Sequence, residues 1–369
     1  MPRVMPFRDV IGHRRLVELL ARSVSRGTLP PSLILAGPSG VGKRLAAIAV
    51  AQSLNCTQRQ TPGPEPSKPS HEVLATRHEL PGDACGTCAV CTRIARGVHP
   101  DVLVVEPGDS GAIKIDQVRE IIDRAAYRPF EGRRRVVIID EADALVAAAQ
   151  NALLKTLEEP PSSSVFMLVT SRPDVLLPTV RSRCPLLRFR PLPPEDISAA
   201  LVARGFSEAE ARAVAATADG SLRRALDTNA GDLVDAREVA QRVLAHAASS
   251  PGGSVATGIR AASDASAGRR LDSAKELLAK SGGGAGDRES LATHLRAMAA
   301  LLRDLVVLGT RADAPALANA DMRSALERLA PAYRGERGVR AFDAIDRALV
   351  ALERNAGVKV VADWLVLQL

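Results

Sequence analysis

The stretch Ser32-Leu-Ile-Leu-Ala-Gly-Pro-Ser-Gly-Val-Gly-Lys-Arg44 decides the fold. A short apolar run enters a glycine-rich turn, and the Ala-rich segment that follows to Asn55 has the pattern of a helix, so the order is strand, loop, helix. Residues Gly37, Pro38, Ser39, Gly40, Val41, Gly42 and Lys43 match a phosphate-binding loop, and Arg44 departs from it. The glycines let backbone N–H groups converge on phosphate oxygens at a helix N-terminus, and the lysine brings a point charge to the β and γ phosphates. The next position normally carries Ser or Thr, whose hydroxyl holds Mg²⁺. A guanidinium has no acceptor and cannot do this. The expectation is a loop that can bind ATP or ADP with weak or absent hydrolysis.

Outward from this loop, Val102–Val105, Val136–Ile139, Val165–Val169 and Leu186–Phe189 read as buried strands, and Asp116–Ala126 and Ala147–Glu159 as helices, the second stopped by Pro160 and Pro161. Strands alternating with helices give an α/β fold, a parallel sheet covered on both faces. Past Pro191 the strand signal stops. Glu195–Arg204, Ser207–Ala218 and Ser221–Asp227 read as a small helical domain, and the chain stays helical to Leu369 apart from Gly- and Ser-rich breaks at 249–258 and 281–287. The expected division is an α/β domain over 1–191, a helical lid over 192–230 and a helical collar over 231–369. The segment 57–83, rich in Pro, Ser and charge, reads as a mobile insertion.

The chain has 369 residues, 46% of them hydrophobic, enough to bury more than one core. Its net charge of +7 rests on 42 arginines and seven lysines. That skew, beside abundant Ala, points to GC-rich codons more than to a polyanionic partner. No apolar run reaches the roughly 18 residues that span a bilayer, and Met1–Val10 offers no apolar signal core, so a cytoplasmic protein without a membrane partner is expected.

Three clusters carry further chemistry. Val136-Val-Ile-Ile-Asp-Glu-Ala-Asp143 ends a buried strand in carboxylates, where parallel sheets present ligands. Asp140 would face a metal and Glu141 would polarise water. Cys85, Cys88 and Cys91, with Cys56 upstream, offer four thiolates for a structural Zn²⁺, and His78 or His99 are alternatives to Cys56. Gly82, Asp83 and Thr87 around them do not look like core, whereas Cys184, the fifth thiol, reads as packing. Arg183, in Arg181-Ser-Arg-Cys-Pro185, is placed to reach a neighbour's γ-phosphate as an arginine finger. Arg223 sits in the first turn of a helix, where the dipole disfavours a cation, and that suggests an anionic partner.

Together with Ile11-Gly12-His13, Asn151-Ala-Leu-Leu-Lys-Thr-Leu-Glu-Glu-Pro-Pro161 and Gly220-Ser-Leu-Arg223, these motifs resemble the bacterial clamp-loader branch of the AAA+ ATPases over roughly residues 5 to 230. The resemblance implies an AAA+ P-loop sheet, a lid and an oligomerisation collar, with Thr170 and Arg223 added to the nucleotide-facing residues. Within the branch, the altered loop end is similar to the delta prime family of DNA polymerase III and not to the gamma/tau motors. The absence of a long C-terminal extension agrees. The implied partners are gamma/tau motors and delta in a hetero-pentamer, and through it a sliding clamp and primed DNA, within a DNA-directed DNA polymerase holoenzyme. Two other readings compete. One is an active motor or other AAA+ ATPase that tolerates Arg44, which the retained Lys43, Asp140 and Glu141 favour. The other is a zinc-dependent nucleic-acid module, against which stands the lack of aromatic residues beside Arg93 and Arg96.

Overall fold

The structure is a computed structural model, and it describes residues 6–58, 80–227, 230–249, 264–278, 285–309, 317–354 and 356–369. Most of the expected insertion at 57–83, His78 and most of the two Gly- and Ser-rich breaks lie outside the described residues.

The first half of the chain runs α1 (Arg14–Arg26), β1 (Ser32–Ala36), α2 (Lys43–Asn55), α3 (Ala89–Ala95), β2 (Val102–Val105), α4 (Ile115–Ala126), β3 (Arg135–Ile139), α5 (Ala147–Glu158), β4 (Ser164–Thr170), α6 (Pro178–Arg181) and β5 (Leu186–Arg188). All five strands pair in parallel in the order β2-β3-β4-β1-β5. Side chains alternate between the two faces of the sheet with period two. Leu33, Leu35, Val136, Ile138, Val165 and Met167 share one core with Val17 and Leu20 of α1, Val50 of α2 and Ile94 of α3. Ile34, Ala36, Val137, Ile139, Phe166 and Leu168 share the other with Val118 of α4 and Leu153 of α5. Every residue of β1, β3 and β4 is therefore buried, which is why these strands read as unbroken apolar runs. The expected α/β fold with helices on both faces is present.

Helix α1 was not anticipated. Its buried Val17, Leu20, Ala21 and Val24 follow the i, i+3, i+4, i+7 spacing, but five charged residues stand among them, and left-handed Gly27 closes it. Helix α3 was also missed, since it is only seven residues long and begins inside the cysteine motif.

The chain continues through α7 (Pro194–Val202), α8 (Glu208–Thr217), α9 (Leu222–Asp227), α10 (Ala230–Ser249), α11 (Asp264–Leu278), α12 (Ala285–Gly309), α13 (Arg323–Leu329), α14 (Glu336–Glu353) and α15 (Val358–Gln368). Compactness divides it into one unit of Met1–Asp196 with Gly220–Arg223, and another of Ile197–Asp219 with Arg224–Leu369. The second unit has its own all-helical core, in which Leu244, Leu295, Leu301, Ile345 and Leu365 are fully buried. Tyr333 lies in that core and donates its hydroxyl to the carbonyl of Leu244 at 2.7 Å, so burying its polar end leaves nothing unsatisfied. No helix among the described residues is long and apolar enough to cross a membrane.

Candidate functional site

The parallel register fixes the site. Ala36 lies opposite Thr170, and Ile139 opposite Leu168, so the central strands β1, β3 and β4 deliver Gly37, Asp140 and Thr170 to the C-terminal end of the sheet. The turn after β1 is open to glycine alone at Gly37, where φ is +151° and a Cβ would run into the carbonyl oxygen of Phe189. Gly40 has φ of +77°, and a Cβ there would strike the Ser221 hydroxyl. The loop is thus packed from outside by the chain around Ser221. The Arg223 N–H donates to the carbonyl of Gly40 at 3.3 Å, which brings the expected Arg223 to the loop.

Lys43 is 6% exposed and donates through Nζ to the carbonyls of Gly37 at 2.7 Å and Pro38 at 2.6 Å. Burial lowers its pKa, opposed by the nearby carboxylates of Asp140 and Asp143. Arg44 Nη1 pairs with Asp140 Oδ2 at 3.0 Å and also with Glu106. The guanidinium therefore stands against the carboxylate that the sequence reading reserved for a metal. Glu106, just past β2, was missed because a single acid after a strand carries no distinguishing pattern.

Thr170 donates its hydroxyl to Asp143 Oδ1 at 2.8 Å, and Arg172 Nε reaches Asp143 Oδ2 at 3.1 Å. Burial would raise the Asp143 pKa, but these two donors and the Ser171 N–H bring it below the usual carboxylate range. Glu141 is exposed and takes a left-handed φ of +49°, uncommon for a residue with a long side chain. Strain of this kind clusters at functional sites. His13 is a further residue the motif reading left without a role. Its Nε2 lies 3.1 Å from the carbonyl of Val41, which only a protonated Nε2 can serve, and its ring meets Phe189 edge-on at 4.8 Å. Burial lowers its pKa against the raising effect of the Val41 carbonyl and Asp196, and the contact with Val41 ties the ring to the loop.

Arg183 follows α6 at the start of a turn. Its Nε donates to Glu158 Oε1 at 2.7 Å and its Nη1 to the carbonyl of Thr179 at 2.8 Å, which fixes the side chain while leaving 31% of it exposed. Cys184 beside it is buried among apolar side chains, as expected.

The four cysteines converge. The sulfurs of Cys56, Cys85, Cys88 and Cys91 all lie within 4.8 Å of one another. A tetrahedral Zn²⁺ with bonds of about 2.3 Å would set its sulfurs about 3.8 Å apart, so the cluster needs only slight contraction. Cys56 belongs to the set, and His99 does not. His99 Nδ1 instead accepts the Asp101 N–H at 3.2 Å, and its Nε2 faces Glu131 at 3.4 Å. Backbone N–H groups of Cys85, Cys88 and Cys91 point at the sulfurs of Cys56, Cys85 and Cys88 at 3.3 to 3.5 Å. Burial would raise the Cys88 pKa, but the Cys91 N–H and Thr57 pull it down to about 6. Cys85 is lowered by the Thr87 and Cys88 N–H groups against its own burial. Cys56 and Cys91 are raised by burial.

Gly82 and Asp83, expected to lie outside any core, are both buried, whereas Thr87 is exposed as expected. Asp83 is core, 1% exposed, and accepts the N–H of Phe7 at 2.8 Å and Arg8 Nη1 at 3.0 Å. Arg8 also donates to the carbonyls of Ala84 and Cys85. An acid in a Pro-Gly-Asp run looks like loop because its partners lie some 75 residues away in sequence.

Residues 70–193 match the family model described as DNA polymerase III, delta subunit. The DNA polymerase III subunit gamma/tau of Mycobacterium tuberculosis is 35% identical over 54% of this chain and 31% of its own length. The DNA polymerase III subunit delta' of Pseudomonas aeruginosa is 35% identical over 49% of both chains. This chain spans about a third to a half of the length of these curated relatives. A solved gamma subunit-related protein of Thermotoga maritima covers 92% of this chain and 98% of its own at 16% identity, with a TM-score of 0.38, a likeness too loose to bear on function. The structure is a parallel α/β sheet carrying a phosphate-loop sequence, and this part of the chain is similar to DNA polymerase III subunits of both the gamma/tau and the delta prime kinds.

Proposed function

We propose that the chain is a delta prime-type, non-motor subunit of a DNA polymerase III clamp loader, which helps place a sliding clamp on primed DNA. The observation that carries this reading is the pairing of Arg44 with Asp140 and Glu106. A motor needs the hydroxyl after the lysine and the acidic end of β3 to hold Mg²⁺. Here the first is missing, and the second is neutralised by a side chain of the same loop. Glu141 is then a vestige of the water-polarising position. The second reading, a gamma/tau-like motor, draws on the retained Lys43, Asp140 and Glu141 and on the identity with a gamma/tau subunit.

Arg183 is proposed as the finger for a neighbouring motor's ATP. Glu158 and Thr179 hold its guanidinium in place, so less freedom is lost when a γ-phosphate replaces the carboxylate. Zinc is the proposed occupant of the four-cysteine cluster. It would fasten α3 to the end of α2, and a closed four-sulfur set leaves no position for catalysis. Residues 192–230 are proposed as the lid and 231–369 as the collar, with gamma/tau, delta and the clamp as partners. Mixed with gamma/tau-type and delta-type subunits and a sliding clamp, the chain is expected to co-elute in one complex. Elution alone from every such mixture would remove this reading.

A further inference from the structure

The phosphate loop has kept everything that receives phosphate and exchanged only what receives metal. Lys43 spends two of its protons on the carbonyls of Gly37 and Pro38, which leaves one for a ligand oxygen. Arg44 uses Nη1 for Asp140 and Glu106. Its Nε and Nη2 hydrogens have no partner among the described residues, and the side chain is 48% exposed at the mouth of the loop. In an ordinary site a divalent ion bridges phosphate oxygens to the carboxylate at the end of β3. A guanidinium has donors along more than one edge of its plane and can make the same bridge without metal. Mg²⁺ does not fit in its place, because the guanidinium offers no acceptor and already holds the two carboxylates.

We propose that this loop takes a nucleoside diphosphate in the absence of any divalent metal, with Arg44 as the built-in cation that bridges the phosphates to Asp140 and Glu106. A γ-phosphate would add negative charge beside Asp140 and Glu141 with no divalent ion between them, so the diphosphate is the favoured ligand. The site would then hold a fixed nucleotide as a structural ligand, insensitive to magnesium. This rests on reading the loop as the phosphate site of a non-motor subunit. Co-elution with partner subunits is measured separately, so failure here leaves the assembly reading standing.

The experiment is fluorescence anisotropy of N-methylanthraniloyl-ADP with the full chain, in Mg²⁺ and in EDTA. The wild-type protein is expected to bind equally in both, within about twofold, and to prefer ADP to ATP. Arg44→Thr is expected to lose about tenfold in EDTA and to recover in Mg²⁺, since one charge-assisted contact is exchanged for a metal-bridged one. If Arg44→Thr does not fold, electron paramagnetic resonance of Mn²⁺ with the wild-type chain in excess over ADP is the independent reading. The ion is expected to stay free. Loss of wild-type binding in EDTA, absence of binding in both buffers, or one Mn²⁺ immobilised per bound ADP would each overturn the proposal.

Discussion

The phosphate loop and the cysteine cluster answer one question in opposite ways: what neutralises gathered negative charge? At the loop, Asp140 and Glu106 are met by Arg44, a cation of the same chain. At the cluster, four sulfurs lie within 4.8 Å of one another, and among the described residues no cationic side chain bonds to any of them. Arg8, the nearest candidate, is committed to Asp83 and to the carbonyls of Ala84 and Cys85. The loop carries an internal cation against its carboxylates, whereas the cluster has none bonded to it among the described residues and calls for an ion from outside. A metal is therefore expected to matter for folding at the cysteines and not for function at the loop.

The largest effect expected is at the cluster. Structural zinc contributes on the order of 10 kcal/mol to local folding. Chelation or Cys88→Ser should release one zinc per chain and expose residues 80–96 to protease while the sheet keeps its circular dichroism. A purified, reduced chain without metal would break the comparison on this side. Acid should release the metal too, since protons compete for the thiolates.

Next in size is Arg183→Ala. In a reconstituted complex, turnover at the neighbouring ATP site is expected to fall about 10³-fold, with assembly unchanged. Unaltered turnover would remove the finger assignment.

Asp101 offers a third test, because it is a second carboxylate neutralised from within. It is fully buried, pairs with Arg135 Nη2 at 2.9 Å and accepts the N–H groups of Phe130, Glu131 and Gly132. Burial alone would raise its pKa, but those partners pull it from 3.8 down to about 2. The charged form is favoured in the folded protein, so its contribution of about 2 kcal/mol is present above pH 4 and fades as pH falls through 2. Asp101→Asn should cost about 3 kcal/mol at neutral pH, since the buried Arg135 loses its carboxylate and keeps only the carbonyls of Arg124 and Arg128, and should flatten that acid-dependent loss in chemical denaturation. A variant as stable as wild type would show that such internal pairs are idle.

The smallest effect concerns Arg44 itself. Its pair is half exposed, so Arg44→Ala should change stability by no more than about 1 kcal/mol in the same denaturation assay. A loss several times larger would mean that the arginine is a structural strut and not a replacement for metal.

Much of this was legible in the sequence because burial on both faces turns a strand into an apolar run, as in β1, β3 and β4. The phosphate loop, the acidic end of β3 and the cysteine spacing are local patterns, and the structure brings each set together. What escaped were partnerships across the chain. Glu106 matters only because β2 and β3 lie side by side, and Asp83 only because Phe7 and Arg8 return to it. His13 braces a loop 28 residues away, and Asp101 pins the turn before β3 from the far side of α4. No composition or spacing marks such residues, because their partners are far away in sequence and meet only in the folded chain.

The most direct test of the central claim is steady-state ATP hydrolysis by the isolated chain in the presence of Mg²⁺. The expected result is no turnover above background, whether or not Glu141 is replaced by Gln. Turnover on the order of 1 s⁻¹ or faster that Glu141→Gln abolishes would contradict it, because a loop neutralised by its own arginine has no place for the metal that such catalysis requires.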